Sequence, residues 1–255
     1  MWFYAIVAMR KFFISLYQIF IWLPLFLLFT IIVAIVTVIG CLLGSEKVFS
    51  YYPCKIWSRF NCIITFCRIK VTGKEKLKKN QSYVFVANHQ GIYDCWLIFG
   101  YLGIPIKWIM KRSLRKIPFV GKACELSGFI FVDDSSPMTR VKAIYEAKEK
   151  FKNGASIAIF PEGSRTATGK LGKFKNGAFR IALDLQLPIV PITLNGSYEV
   201  MPRNTIFICP HRMEIIIHDP ISTADLIPMA PNIHLLSDKA WKKIESSLWE
   251  QYRSE

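Results

Sequence analysis

Hydrophobic and polar positions divide the chain into three regimes. From Phe12 to Gly44 no charged residue occurs. Wound as one α-helix, that run is about 50 Å long, against a bilayer hydrocarbon core of about 30 Å. It reads as a tilted single span, or as two half-length pieces broken near Pro24 into a membrane-embedded hairpin. Arg10 and Lys11 precede it, and Lys47, Lys55 and Arg59 follow. Basic flanks on both sides lean towards both ends lying on the cytoplasmic face, which favours the hairpin. A cleaved signal peptide has a shorter apolar region, although Val38-Ile39-Gly40-Cys41 has the form of a lipoprotein cleavage box. A buried core helix is neither so long nor so uniformly apolar. Residues 1–47 are therefore expected to be a membrane-embedded helical segment.

Val48 to Lys70 mixes aromatic and aliphatic residues with spaced cations, among them Tyr51, Tyr52, Lys55, Trp57, Arg59, Phe60, Phe66 and Arg68. This suits an interfacial helix with its apolar face in the acyl boundary and its cations on headgroups. An amphipathic helix packed on a soluble core fits as well. The run Lys74, Lys76, Lys78, Lys79 predicts a solvated loop.

Beyond Tyr83 short β-forming runs recur at Tyr83–Ala87, Ile106–Met110, Phe129–Val132, Ser156–Phe160, Ile189–Leu194 and Glu214–His218. Helix-like segments separate most of them. The clearest is opened by Ser136 and Pro137 and closed by Asn153-Gly154. A polar-faced helix without evident chemistry is predicted over Ile233–Tyr252. Strands alternating with helices predict an α/β domain over residues 48–255, a mostly parallel or mixed sheet flanked by helices. In such sheets ligands gather at the carboxyl ends of strands.

Charge and cysteine usage narrow the setting. Lys and Arg number 33 against 18 Asp and Glu, a formal charge of +15, which points to an anionic partner such as lipid headgroups, nucleic acid or a phosphorylated ligand. Seven cysteines without a CxxC pair fit reduced thiols on the cytoplasmic side better than a disulfide framework or a zinc site. The histidines, His89, His211, His218 and His234, lack ligand spacing, so no metal is expected.

The densest chemistry follows the first β run, at Asn88-His89-Gln90-Gly91-Ile92-Tyr93-Asp94. In one continuous helix His89 and Asp94 would not share a face. They meet if the strand ends near Asn88, the chain turns at Gly91 and Asp94 opens the next helix, where capping and the helix dipole favour a carboxylate. Asp94 would then orient one imidazole nitrogen and leave the other to take a proton. Taken alone, the pair also fits a polar turn whose aspartate caps a helix. Three further stretches border predicted strands. Lys111-Arg112-Ser113-Leu114-Arg115-Lys116-Ile117-Pro118-Phe119-Val120-Gly121 is basic. In Phe160-Pro161-Glu162-Gly163-Ser164-Arg165-Thr166, Gly163 permits close backbone approach, Ser164 and Thr166 offer hydroxyls, and Arg165 offers a planar fork suited to phosphate. Lys173-Phe174-Lys175-Asn176-Gly177 adds cations. Leu187-Pro188-Ile189-Val190-Pro191-Ile192 enters a buried strand.

In this order the stretches resemble the glycerolipid acyltransferases typified by 1-acyl-sn-glycerol-3-phosphate (lysophosphatidate) acyltransferase. That family carries a His-x4-Asp block preceded by Asn, matched by Asn88, His89 and Asp94. Its second block is matched by Lys111, Leu114, Pro118 and Gly121. A Phe-Pro-Glu-Gly-(Ser/Thr)-Arg block is matched completely by Phe160 to Arg165, and a proline in a hydrophobic strand by Pro191. The resemblance covers about Val71 to Leu194. Ser113 stands where Glu is frequent, and Asp133-Asp134 follow Phe131 where an arginine is frequent; both departures bear on the acceptor.

The resemblance implies transfer of a fatty acyl chain from an acyl thioester to the 2-hydroxyl of lysophosphatidate, forming phosphatidate in phospholipid biosynthesis. His89 and Asp94 would be catalytic, with Lys111, Glu162, Gly163, Ser164 and Arg165 on the substrate. Glu162 would brace the Arg165 loop. No cofactor is implied; acyl-coenzyme A or acyl carrier protein serves as co-substrate. The partners are membrane lipids, the lysophosphatidate acceptor and the donor, at a membrane with the catalytic domain on the cytoplasmic side. Another lysolipid acceptor, such as a lyso-aminolipid, fits the same blocks. A hydrolase fits poorly, since no Gly-x-Ser-x-Gly elbow occurs. A non-catalytic basic membrane-binding protein remains an alternative; nucleic acid does not, because the aromatics lie in apolar runs.

Overall fold

The computed structural model describes residues 2–132 and 155–254, those before Met9 by backbone alone. The predicted helix opened by Ser136 and Pro137, and Asp133-Asp134, lie outside the described residues.

The uncharged run folds as α1 (Trp2–Tyr17), a π-helical turn (Gln18–Trp22) and α2 (Leu23–Leu42). Tyr17 and Leu23, on either side of the turn, keep right-handed helical angles. The expected break near Pro24 is absent: Met9–Leu42 forms one helix of 34 residues, long and apolar enough to cross a bilayer. A proline ring crowds the carbonyl four residues earlier, here that of Phe20. A widened π turn immediately ahead of Pro24 relieves that crowding without ending the helix.

One stripe of α2, Ala34, Thr37 and Gly40, is buried; these small side chains admit close packing. Its opposite side exposes Leu27, Leu28, Ile31, Ile35 and Ile39. After a short helix α3 (Glu46–Phe49), α4 (Tyr52–Ile64) lies against α2, with Phe29 on Phe60 at 4.3 Å and Thr30 accepting the Trp57 indole N–H at 2.8 Å. α4 buries Ser58, Asn61 and Cys62 on the domain and leaves Tyr52, Ile56 and Ile63 exposed. The predicted helix over Val48–Lys70 thus divides in two. Arg68-Ile69-Lys70-Val71-Thr72 alternates polar and apolar side chains, the period of an edge strand, and forms β1 (Arg68–Thr72).

The remaining strands are β2 (Val84–Ala87), β3 (Ile106–Lys111), β4 (Ile130–Val132), β5 (Ser156–Ile159), β6 (Ile189–Asn195) and β7 (Arg212–Ile217). They form one sheet in the order β1-β7-β6-β2-β5-β3-β4. All neighbours pair parallel except β6 and β7. The sheet is therefore mixed, with β2, β3, β4, β5 and β6 sharing one direction. Central β2 is buried on both faces. Phe85 and Ala87 pack with α4 and α5 (Tyr93–Tyr101); Val84 and Val86 pack with α7 (Gly177–Leu185) and α9 (Ala230–Ser246). α6 (Val120–Leu126) follows the basic stretch, and α8 (Ser197–Val200) follows β6.

The β6–β7 hairpin carries a titratable lock. Thr193 donates its hydroxyl to the Ile244 carbonyl at 3.0 Å and so accepts from His218 Nε2 at 2.8 Å, which fixes the tautomer. Burial, with Lys243 and Lys76 nearby, lowers the His218 pKa from 6.5 to about 4. Between those values the unfolded chain binds a proton that the fold refuses. Stability should be level above about pH 6.5 and fall as pH drops towards 4. Denaturation midpoints measured across that window should decline, and decline less in His218→Gln.

Candidate active site

Because β6, β2, β5 and β3 run parallel, their carboxyl ends lie on one edge of the sheet, and each delivers side chains there. β2 ends at Ala87, and Asn88 locks the turn to β6. Its amide donates to the Leu194 carbonyl and accepts the Leu194 N–H, both at 2.8 Å. The chain then presents His89, turns, and enters α5 with Asp94 in the first turn. Gly91 is needed at the turn: a Cβ there would lie 2.7 Å from the Ser197 carbonyl oxygen.

His89 Nδ1 lies 2.8 Å from Asp94 Oδ2. Asp94 is completely buried, and its carboxylate is saturated with donors. Oδ2 also accepts the Gln90 N–H at 2.6 Å and the Gly91 N–H at 2.8 Å, while Oδ1 accepts the Ser197 hydroxyl. With every other contact a donor, Asp94 holds the proton on Nδ1 and leaves Nε2 as the basic nitrogen. The imidazole lies flat on Phe160 (centroids 3.9 Å, planes 8° apart), and Phe160 lies on Trp108 at 5.4 Å. The stack crosses β2, β5 and β3 and fixes the plane of the ring.

The loop after β5 grips the main chain of His89 on both sides. Glu162 Oε1 accepts the His89 N–H at 2.7 Å, and the Thr166 N–H donates to the His89 carbonyl at 2.9 Å. Glu162 Oε2 accepts the Gly172 N–H at 3.0 Å. Burial raises the Glu162 pKa, against these two backbone donors. Both of its oxygens are engaged by main chain, so Glu162 positions the loop rather than reaching outward. Gly163 adopts φ +79°, and a Cβ there would meet Lys175 Nζ at 2.6 Å; that ammonium group therefore lies over the exposed loop backbone. Ser164 is exposed beside it. Arg165 follows, one residue from the Thr166 anchor. Burial pushes the Cys95 thiol up to about 12, Asp94 adds to the shift, and the Arg165 charge opposes it.

Lys111 ends β3, two strands from β2 and exposed, about 10 Å across the sheet at standard strand spacing. Arg112–Lys116 continues as a 3-10 turn. The sheet edge therefore joins His89, Asp94 and Glu162 by hydrogen bonds, carries Arg165 next in the chain to the Thr166 anchor, and sets Lys111 two strands away. Three contributors were not singled out by spacing: Ser197 on Asp94, the Phe160 ring under His89, and Arg203, whose Nη1 donates to the Arg165 carbonyl at 3.2 Å. Only Phe160 carried a local signal, its place at the end of a β run and at the head of the Phe160–Arg165 block. Among the described residues no group of His, Cys, Asp or Glu could hold a metal ion.

The site thus sets an imidazole on a buried carboxylate beside an arginine-bearing glycine loop, and comparison with known proteins places the chain in a family. The model of a family described as Acyltransferase matches residues 68–195; the chain belongs to that family. Among its relatives, the chloroplastic 1-acyl-sn-glycerol-3-phosphate acyltransferase BAT2 of Brassica napus is 35% identical over 207 residues, 80% of this chain and 57% of the relative. The 1-acyl-sn-glycerol-3-phosphate acyltransferase of Borreliella burgdorferi is 30% identical over 181 residues, 70% of this chain and 72% of the relative. The match spans only about half the length of the plant relatives, 57% and 52%. The crystal structure of the 1-acyl-sn-glycerophosphate acyltransferase PlsC from Thermotoga maritima superposes with a TM-score of 0.75 at 24% identity, covering 95% of this chain and 99% of that one. It shares the fold.

Proposed function

We propose that this protein transfers a fatty acyl chain from an acyl thioester to the 2-hydroxyl of 1-acyl-glycerol-3-phosphate, forming phosphatidate. The observation that carries the reading is the 2.8 Å His89–Asp94 contact, with Nε2 left basic at the sheet edge. His89 Nε2 removes the hydroxyl proton as the oxygen attacks the thioester carbonyl. The carbon–sulfur bond breaks, and the thiolate takes the proton back from the imidazolium. The acceptor oxygen is itself the nucleophile, so no acyl-enzyme forms. Arg165, with Lys111 at the rim, holds the acceptor phosphate, and Gly163 and Ser164 line its approach. Acyl-coenzyme A or acyl carrier protein supplies the chain. The Met9–Leu42 helix supports attachment to the membrane that holds the acceptor; the side on which the sheet edge lies is assigned as cytoplasmic from the cysteine usage, which fits reduced thiols.

Purified protein in detergent, offered both donors and a series of lysolipids, should form phosphatidate. Absence of product with every donor, or preference for a lyso-aminolipid, would overturn the acceptor assignment. Arg165→Ala should raise KM for lysophosphatidate about 10- to 100-fold, the worth of a charge-assisted clamp. A phosphate-free monoacylglycerol should be affected far less; equal loss for both would remove Arg165 from the phosphate.

A further inference from the structure

The segment between α8 and β7 supplies no reacting group, yet it touches both the loop after β5 and the long apolar helix. Asn204 takes a left-handed turn (φ +68°), and the Thr205 hydroxyl oxygen accepts the Phe207 N–H at 3.0 Å. This compact turn leaves Ile206 81% and Phe207 54% exposed. The next residue, Ile208, is buried in the core, and its carbonyl accepts the side-chain amide of Gln18 from the π turn. Ile208 and Pro210 also share with Phe13, Tyr17, Trp22 and Phe66 the wall of an apolar cavity of about 240 Å³. The tip thus emerges beside the helix at the level where Phe12, Phe13, Ile19 and Phe20 are themselves exposed. On the other flank, Arg203 holds the Arg165 carbonyl.

Two adjacent large apolar side chains held out to solvent mark a contact surface rather than ordinary surface scatter. What they touch follows from their neighbours. They continue the apolar face of the helix, an arginine stands beside them, and the chain carries +15. That combination of apolar tip and cationic flank matches the boundary of an anionic leaflet.

We propose that residues 203–208 form a second lipid-contacting element. Ile206 and Phe207 enter the acyl region of the leaflet beside the helix, Arg203 lies at headgroup level, and a lysolipid leaving the leaflet there arrives next to Arg165. The proposal rests on the membrane attachment inferred above, and the test separates the two.

Full-length protein carrying Cys209→Ser is reconstituted into vesicles of phosphatidylcholine and phosphatidylglycerol. Phe207→Cys, Phe20→Cys on the helix, and Lys242→Cys on α9 across the sheet are each labelled with an environment-sensitive fluorophore. Emission is corrected for labelling of the Cys209→Ser parent. At position 207 the expected result is blue-shifted emission, quenched by acyl-chain-attached quenchers and shielded from iodide, as at position 20. Position 242 should respond to iodide alone. Lipid quenching at 20 with iodide quenching at 207 would overturn the proposal and leave membrane attachment intact. Lack of lipid quenching at both would overturn both. Shielding at 207 that grows with the protein-to-lipid ratio would assign the tip to contact between protein copies, and would also overturn it.

Discussion

His89→Ala should lower the rate of acyl transfer by about 10²–10⁴-fold, the range for a positioned general base, with little change in KM. The size follows from what the variant keeps. The loop after β5 holds His89 by its main-chain N–H and carbonyl, and both survive the substitution. Arg165 and the glycine loop therefore stay in place to bind acceptor while the proton on the attacking hydroxyl has nowhere to go. The melting temperature should fall only modestly: the ring loses its stack on Phe160 and its hydrogen bond to Asp94, but the buried carboxylate keeps the Gln90, Gly91 and Ser197 donors. Steady-state kinetics beside a melting curve checks both. Retention of more than about a tenth of wild-type kcat would place the proton elsewhere.

Asp94→Asn should be as damaging to kcat, on the order of 10³–10⁴-fold, and should also destabilise. The buried carboxylate accepts from four donors: His89, Gln90, Gly91 and Ser197. An amide replaces one acceptor oxygen with an NH2 group. On the side of the Gln90 and Gly91 N–H groups it leaves them unsatisfied, at about 1–3 kcal/mol. On the side of Ser197 it forces that hydroxyl to give up its own donor contact and accept instead. Turned towards the imidazole, the same NH2 donates to Nδ1 and drives the ring proton to Nε2, the nitrogen that must stay basic. Loss of rate with the larger fall in melting temperature, against loss of rate with the smaller fall in His89→Ala, distinguishes the orienting group from the base. An unchanged melting temperature for Asp94→Asn in a Ser197→Ala background, where no hydroxyl can accept from the amide, would contradict the saturation of the carboxylate by donors.

The central sheet was legible because its strands announce themselves locally. Val84-Phe85-Val86-Ala87 and Ile189 to Leu194 are apolar on both faces, as strands covered by helices on each side must be. β1 was not, because Arg68 to Thr72 alternates as a half-exposed edge strand and directly follows an amphipathic helix; its identity rests on pairing with β7, far along the chain. Pro24 misled for a related reason. A proline signals a break only if the turn before it cannot widen, and the π turn at Gln18–Trp22 depends on packing around Tyr17 and Phe26. In the site, His89 and Asp94 were legible because a strand end and a helix start fix their separation. Ser197 and Arg203 were not, since they arrive from beyond β6 and meet Asp94 and Arg165 only through the fold. Glu162 was visible as a residue, but the backbone groups it holds on His89 and Gly172 were not.

The claim on which the mechanism rests is that the acceptor hydroxyl attacks the thioester directly, with the imidazole moving only a proton. Purified protein mixed with an acyl-labelled thioester and no acceptor, then quenched in acid, tests it most directly. Direct attack predicts unlabelled protein, and labelled phosphatidate only once lysophosphatidate is added. Label bound covalently to the protein that passes into phosphatidate when acceptor is supplied would contradict it.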